Sequence, residues 1–181
     1  MIIVIGVAGV GKSTQCRLLK ESGRHQWLSV GQFLRDTVDD PEKKAAMLAG
    51  NILDDTYVLP MLERKLGELG DEPELVIDGF PRTITQADWL IGMHNTSKIH
   101  ISHIIHLTAD EQVAKERLKD RGRSDDNEDA IAERFHDYRN NILPIIHHFA
   151  NANLKVVDIN GQNYVEEVQE AIRSSIGESD V

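Results

Sequence analysis

Residues 6–13 read Gly6-Val7-Ala8-Gly9-Val10-Gly11-Lys12-Ser13 and fit the pattern G-x-x-x-x-G-K-[ST] at every defined position. An apolar run that begins at Met1 precedes them, and a segment with helical spacing follows from Lys12. Glycines let consecutive backbone N–H groups converge on phosphate oxygens, and the N-terminus of a following helix adds positive potential. The sequence therefore predicts a phosphate-binding loop between a strand and a helix.

Outside this loop, short apolar runs alternate with longer segments of helical spacing. Strands are predicted at residues 1–7, 27–30, 75–78, 103–108 and 154–159. Helices are predicted at residues 12–21, 31–49 with a break at Pro41, 54–69, 85–93, 110–121, 128–150 and 164–176. Several runs are continuously apolar, which is typical of strands buried on both faces. The alternation predicts an α/β fold, with a five-stranded parallel sheet and helices on both faces.

One region departs from the strict alternation. Residues 31–69 carry two or three predicted helices and no predicted strand, which indicates a helical insertion into the α/β core. Two local signals refine the other helices. Thr108-Ala109-Asp110-Glu111 fits a capping box at a helix start, and Pro144 should kink or divide the helix at 128–150. A chain of 181 residues fits a single domain.

The composition excludes several classes of protein. The chain carries 20 Lys and Arg against 30 Asp and Glu, a net charge of −10, which disfavours a general nucleic-acid binder but allows a local basic pocket. Its one cysteine, Cys16, excludes an intrachain disulfide framework and a four-cysteine zinc site. The longest apolar run, residues 2–10, is too short to cross a bilayer and lacks the flanks of a signal peptide. We expect a cytoplasmic monomer with no structural zinc and no nucleic-acid or membrane partner.

A second motif completes the predicted phosphate site. Leu75-Val76-Ile77-Asp78 is an apolar run that ends in a carboxylate, and in phosphate-loop proteins such an acid holds Mg²⁺, often through water. Lys12 would reach the outer phosphates of a nucleotide, and the Ser13 hydroxyl would ligate the Mg²⁺. We therefore predict Mg²⁺, bound together with ATP, as the cofactor. Its protein ligands would be Ser13 and, through water, Asp78.

The segment that follows Asp78 resembles a known family. Gly79-Phe80-Pro81-Arg82-Thr83 and then Gln86-Ala87 resemble the D-G-F-P-R-T-x-x-Q-A signature of adenylate kinases and related nucleoside monophosphate kinases. Residues 28–35, L-S-V-G-Q-F-L-R, are similar to the family's L-S-T-G-D-x-L-R, and residues 50–55, G-N-I-L-D-D, to its G-x-L-V-P-D. The arginine series between Arg117 and Arg134 is similar to the family's R-x-x-x-R-G…R-x-D-D…R. The resemblance covers nearly the whole chain.

The resemblance implies a three-layer P-loop NTPase fold in one domain. Its core would comprise residues 1–29, 60–120 and 125–181, with a monophosphate-binding insertion at 30–59 and a minimal lid at 121–124. The implied activity is reversible, Mg²⁺-dependent phosphoryl transfer from ATP to a nucleoside monophosphate. AMP is the preferred acceptor, and the products are then two ADP.

The resemblance also assigns residues to the two nucleotides. It places the ATP phosphates against Gly9, Val10, Gly11, Lys12, Ser13, Thr14, Arg117 and Arg121. It places the monophosphate against Val30, Gly31, Arg35, Leu53, Gly79, Arg82, Gln86, Arg123 and Arg134. The implied catalytic residues are Lys12, Arg82, Arg117, Arg123 and Arg134. Planar, permanently charged guanidinium groups suit phosphates, and no general base is required because the attacking phosphate oxygen is already ionised.

Three departures from the family pattern leave alternatives open. Val30 replaces the usual Thr near the acceptor base, which keeps a UMP/CMP kinase or a broad-specificity kinase as alternatives. Gln32 replaces an Asp near the phosphates, and in the lid only Gly122 separates Arg121 from Arg123. So small a lid predicts ATP hydrolysis in the absence of acceptor. The short lid and Gln32 also keep open a catalytically weak, nucleotide-binding regulatory protein.

Structural explanations remain for several of these residues. Gln86 could close a capping box with Thr83 rather than read a base. Asp125 and Asp126, which resemble an acid pair at the family's lid hinge, could instead cap the helix that follows. Arg121 could pair with acidic neighbours on its own helix.

Overall fold

The computed structural model describes residues 1–70, 73–122 and 127–178, apart from the side chain of Arg121. The strands within these residues are β1 (Ile2–Gly6), β2 (His25–Ser29), β3 (Glu74–Asp78), β4 (His103–Thr108) and β5 (Val156–Asn160). They form one parallel sheet in the order β2-β3-β1-β4-β5. The predicted five-stranded parallel sheet is therefore confirmed, and the predicted strand ends lie within two residues of those observed.

Helices cover both faces of the sheet. They are α1 (Lys12–Glu21), α2 (Val30–Thr37), α3 (Pro41–Leu48), α4 (Asp55–Leu69), α5 (Ile84–Asn95), α6 (Glu111–Arg121), α7 (Glu128–Asp137), α8 (Leu143–Asn151) and α9 (Val165–Ser175). Successive strand residues point to opposite faces, so Ile2 and Ile3 of β1 lie in different hydrophobic clusters. The Ile3 cluster includes residues of α2, α4, α5 and α8, and the Ile2 cluster includes residues of α1, α6, α7 and α9. This is the predicted three-layer arrangement.

Two prolines divide helices where the sequence predicted a break. Pro41 begins α3, and Asp40 caps that helix by accepting hydrogen bonds from the backbone N–H groups of Glu42 and Lys43. Pro144 lies in the first turn of α8, and the turn before it, Tyr138–Ile142, is π-helical. Because proline has no N–H to donate to the preceding turn, the backbone there can widen without losing a hydrogen bond.

The predicted capping box at Thr108–Glu111 is wrong. Helix α6 begins at Glu111, and its N-cap, Asp110, makes no side-chain capping bond. The backbone N–H of Asp110 instead donates to Gln162 Oε1 at 2.5 Å. The Thr108 hydroxyl lies on β4 and donates to the carbonyl of Ile159 at 3.4 Å. Contacts with the neighbouring strand β5 and the loop after it replace the local cap, and a single-segment pattern cannot show them.

The region between β2 and β3 holds the helical insertion. It contains α2, α3 and α4, and no strand lies among residues 30–70. The helical character predicted for this region is confirmed, while the boundaries 30–59 of a monophosphate-binding unit stay a prediction. In the part of the chain that the structure describes, no helix has both the length and the apolar character needed to cross a membrane.

Candidate active site

The carboxyl edge of the sheet opens into a cleft of about 540 Å³. Strands β1 and β3 are neighbours in the sheet; after β1 the chain enters α1, in the layer of the Ile2 cluster, and after β3 it enters α5, in the layer of the Ile3 cluster. In parallel sheets this change of direction produces a crevice at the carboxyl ends of the strands. The lining of the cleft includes the loop after β1 and residues of the helical insertion.

The loop after β1 has a backbone that requires glycine at two positions. Gly9 has a φ of +83°, and a Cβ there would lie 2.3 Å from the carbonyl oxygen of Ala114. Gly11 has a φ of +104° and forms the N-cap of α1. Side chains at these sites would strain the backbone or collide with α6. The N-terminus of α1 therefore lies at the cleft, where its first backbone N–H groups can donate hydrogen bonds to an anion.

Lys12 brings a positive charge into this loop. Its Nζ donates hydrogen bonds to the carbonyl oxygens of Gly6 at 2.8 Å and Val7 at 2.9 Å. The ammonium group is thus held above the end of β1, among the residues that line the cleft. The role predicted for Lys12 at the outer phosphates of a nucleotide stays a prediction.

Ser13 and Asp78, the predicted metal ligands, lie in contact. Ser13 Oγ donates to Asp78 Oδ2 at 2.8 Å, and Asp78 is only 3% exposed. Asp78 Oδ1 is buried and has no hydrogen-bond partner among the described residues. A desolvated carboxylate oxygen without a donor is costly unless a cation or a bound water satisfies it. A hydroxyl beside a carboxylate is an oxygen donor set that fits Mg²⁺.

Cys16 lies beneath this site and takes no part in it. The side chain is fully buried in the cluster that contains Ile2. Burial raises the pKa of the thiol well above its ordinary value, and the negative charge of Asp78 raises it further. A thiol held in its neutral form is a poor nucleophile, so Cys16 acts as a small core residue.

Arginines of the insertion and of the loop after β3 also line the cleft. Arg35 on α2 donates to Gln32 Oε1 through Nη2 at 2.9 Å and Nε at 3.3 Å. Gln32 in turn donates to Asp36 at 2.7 Å. The residue that departs from the family's Asp is therefore a neutral partner that orients the guanidinium. Arg82 Nε donates to the carbonyl of Gly79 at 3.2 Å.

Gln86 combines a structural contact with a place in the cleft. The hydroxyl of Thr83 accepts a hydrogen bond from the Gln86 backbone N–H at 3.1 Å, which is one half of a capping box. The second half is not formed, because Gln86 Oε1 accepts from the Arg82 N–H at 2.7 Å rather than from Thr83. Gln86 is 2% exposed and lines the cleft, so its side chain is held where a base could meet it.

Arg117 takes an orientation that the sequence did not suggest. Its guanidinium donates to the carbonyl oxygens of Gly161 at 2.7 Å and Gln162 at 3.3 Å, and lies 3.5 Å from that of Val10. The side chain therefore joins the phosphate loop to the loop after β5. A role against the donor phosphates stays a prediction.

The loop after β5 supplies residues that sequence analysis missed. Gly161, Asn163 and Val165 line the cleft. A Cβ at Gly161 would lie 2.6 Å from the Val10 side chain, so only glycine permits this close approach. The available signal was a glycine two positions after the last predicted strand, because every parallel strand of the sheet ends at the same edge.

Most of the predicted site residues meet in this one cleft. The described members that line it are Gly9, Val10, Gly11, Lys12, Ser13, Thr14, Val30, Gly31, Arg35, Leu53, Asp78, Gly79, Arg82, Gln86, Arg117 and Arg134. The predictions for Arg123, for the acid pair Asp125 and Asp126 and for most of the lid at 121–124 lie outside the described residues, as does the side chain of Arg121.

A cleft lined by a phosphate loop, by an acid at the end of a neighbouring strand and by several arginines is the architecture of a phosphate-loop nucleotide kinase, a phosphotransferase. A sequence model described as adenylate kinase matches residues 4–154, most of the chain. The chain belongs to the adenylate kinase family.

Relatives from several bacteria agree with this assignment over almost their whole length. An adenylate kinase of Synechococcus sp. (strain CC9902) is 35% identical over 176 residues, which cover 94% of this chain and 95% of the relative. An adenylate kinase of Leptospira biflexa is 33% identical over 184 residues, 97% of this chain and 98% of the relative. Adenylate kinase 1 of Nostoc sp. is 29% identical over 181 residues, with the same coverage.

Proposed function

We propose that the protein transfers a phosphoryl group reversibly from ATP to AMP and forms two ADP. The observation that carries this proposal is the arrangement of one cleft. The Ser13–Asp78 pair, Lys12, Arg82 and Gln86 all line this cleft, and Lys12 and Ser13 belong to the phosphate loop. The phosphate loop with its Ser13–Asp78 pair fits a triphosphate and its cation, and Arg82 with Gln86 fits a second phosphate together with a base.

The chain's own residues would supply alignment and charge. The phosphate loop and Lys12 hold the donor phosphates, while Arg35 and Arg82 hold the acceptor phosphate. Arg123 and Arg134 would clamp the group in transfer and stabilise the charge on its oxygens, and Arg117 would act on the donor phosphates. Mg²⁺, held by Ser13 and through water by Asp78, would neutralise donor phosphate charge. Because the attacking phosphate oxygen is already ionised, no side chain has to remove a proton.

Several observations support AMP as the acceptor. The relatives are named adenylate kinases. Gln86 places a primary amide in the cleft, and an amide can pair with a base edge that offers one donor and one acceptor. Val30 lines the same cleft, and its side chain has no hydrogen-bonding group, so pyrimidine monophosphates are the alternative acceptors to test.

We also propose that the protein works as a cytoplasmic monomer.

A panel of acceptors tests the proposal. Purified protein with ATP and Mg²⁺ is offered AMP, CMP, UMP and no acceptor, and the products are identified by chromatography. We expect ADP from AMP at the highest kcat/KM. Turnover with CMP or UMP but not AMP would replace the proposed substrate. A folded protein that binds nucleotide and turns over none of the acceptors would replace the enzyme with a regulatory protein.

A further inference from the structure

We propose that Asp55 is a positioning residue that fixes the orientation of the Gln86 amide and thereby sets which purine the acceptor end selects. Asp55 is the first residue of α4, and Gln86 lies in the first turn of α5. The inference rests on the proposed function, because it takes the acceptor base to meet Gln86.

Three hydrogen bonds hold the two side chains. Asp55 Oδ1 accepts from Gln86 Nε2 at 2.6 Å, and Asp55 Oδ2 accepts from the hydroxyl of Thr83 at 2.8 Å. Gln86 Oε1 accepts from the backbone N–H of Arg82 at 2.7 Å. With Gln86 only 2% exposed, water cannot readily substitute for these partners. The contact joins the helical insertion to the start of α5, and Gln86 lines the cleft.

The chemistry of the partners permits one orientation of the amide. An ionised carboxylate can only accept hydrogen bonds, and a backbone N–H can only donate. If the Gln86 amide turned over, its oxygen would face the Asp55 carboxylate and its NH₂ would face the Arg82 N–H. Both contacts would then be unsatisfied and repulsive, which is costly for buried groups.

The groups left over define the base that fits. An amide has two N–H donors and two acceptor lone pairs, so Gln86 keeps one donor and one acceptor after binding Asp55 and Arg82. A 6-aminopurine offers a matching acceptor at its N1 and donor at its exocyclic amine. A 6-oxopurine offers the reverse, a donor at N1 and an acceptor oxygen. The held amide therefore favours AMP and opposes inosine monophosphate (IMP), which has the same sugar and phosphate.

Asp54 provides a matched control at the preceding position. It is the N-cap of α4, and its hydrogen bonds are to the backbone N–H and hydroxyl of Thr56. Asp54 and Asp55 carry the same charge at the same end of one helix, but only Asp55 has a hydrogen bond to Gln86 among the described contacts. Substituting each in turn separates the loss of a carboxylate from the loss of the amide's partner.

The experiment measures kcat/KM for AMP and for IMP with saturating ATP, in the wild type, Asp55→Ala and Asp54→Ala. We expect Asp55→Ala to lower the AMP-to-IMP ratio about tenfold, as the amide gains freedom to turn. Asp54→Ala should keep the ratio within about twofold while its Tm falls with the lost cap. Both substrates are measured on one preparation, so the ratio does not depend on the folded fraction. If Asp55→Ala does not fold, Asp55→Ser replaces it, because serine also lacks an acceptor-only group.

The outcomes distinguish this inference from the proposed function. A wild type that does not use AMP overturns both. A wild type that prefers AMP, with an unchanged ratio in Asp55→Ala, overturns only the role of Asp55. A ratio that falls equally in Asp54→Ala also overturns it, because charge at the helix end would then explain the effect. Asp55→Asn, which keeps an acceptor oxygen, should recover much of the wild-type ratio.

Discussion

Strand β3 carries a carboxylate at each end, and the two differ in their hydrogen bonds and in their burial. Glu74, its first residue, accepts hydrogen bonds from the Met1 amino group at 2.9 Å and from the Ser102 hydroxyl at 2.6 Å. Asp78, its last residue, accepts from Ser13 with one oxygen and has no described partner for the other. Yet Glu74 is partly exposed and Asp78 is buried. The carboxylate that most needs partners has fewer, which is typical of a group whose partner is a ligand.

Substitutions at the carboxyl edge of the sheet should therefore lower the activity of the protein, and substitutions at the amino edge should lower its stability. The largest loss is expected for Lys12→Ala, since Lys12 is the cation of the phosphate loop. We expect kcat for ADP formation to fall by about a thousandfold or more. The coupled assay checks this, with Lys20→Ala, an exposed lysine of the same helix, as the control. Equal losses in both variants would contradict a local role for Lys12.

The comparison within β3 is tested next by Asp78→Asn. Removing the charge should lower kcat about a hundredfold and raise the Mg²⁺ concentration for half-maximal activity, because the donor phosphates lose a cation ligand. The Tm should equal or exceed that of the wild type, since a buried oxygen without a donor no longer carries charge. A variant with full activity, or one with a much lower Tm, would show that Asp78 is a structural residue like Glu74.

The fold and much of this edge could be predicted from the sequence because the signals are local. The phosphate loop lies between one strand and one helix, and the arrangement of apolar runs reports burial directly. Asp78 was found because it ends an apolar run. Each of these features needs only neighbouring residues to be recognised.

Features that depend on contacts between distant segments could not be predicted. Arg117 bonds to Gly161 and Gln162, more than forty positions away, so its orientation depends on how α6 packs beside β5. Asp55 meets Gln86 across thirty-one positions, and no pattern in the sequence assigned a role to Asp55. The cap predicted at Thr108 does not form for the same reason, because the backbone N–H of Asp110 donates to Gln162 Oε1. Hydrogen-bonding groups have several possible partners, and tertiary packing selects among them.

A smaller effect is predicted from residues 121–124, which the family resemblance assigns to a short lid. Only Gly122 separates Arg121 from Arg123, so little chain is present to exclude water from the donor phosphates. We expect ATP hydrolysis without acceptor, slower than transfer to AMP but above the rate in buffer. Phosphate release measures it, and Lys12→Ala should abolish it if the activity belongs to this site. A wild-type rate equal to that of buffer would mean that other parts of the protein exclude water.

The smallest effect, and the one that completes the comparison, is expected for Glu74→Gln. Partial burial alone would raise the pKa of Glu74, but the hydrogen bond from Ser102 and that from the Met1 amino group outweigh it and lower the pKa below its ordinary value. The ionised form thus stabilises the folded protein at neutral pH, and this contribution disappears as the pH falls through the lowered pKa. Because the side chain is partly exposed, we expect a loss of about 1 kcal/mol in the free energy of unfolding at about pH 7.

Urea denaturation at about pH 7 and about pH 3 measures this loss, which should shrink at the lower pH because the stabilisation by the ionised carboxylate is lost as the pH falls toward and through its lowered pKa. Glu68→Gln, at an exposed pair with Lys65, is the matched control and should change little at either pH. Activity toward AMP should stay at the wild-type level in Glu74→Gln. If activity fell as in Asp78→Asn, the two ends of β3 would be coupled, and the division between a stabilising and a catalytic carboxylate would be wrong. If the loss of stability were the same at both pH values, packing of the side chain rather than its charge would be the cause.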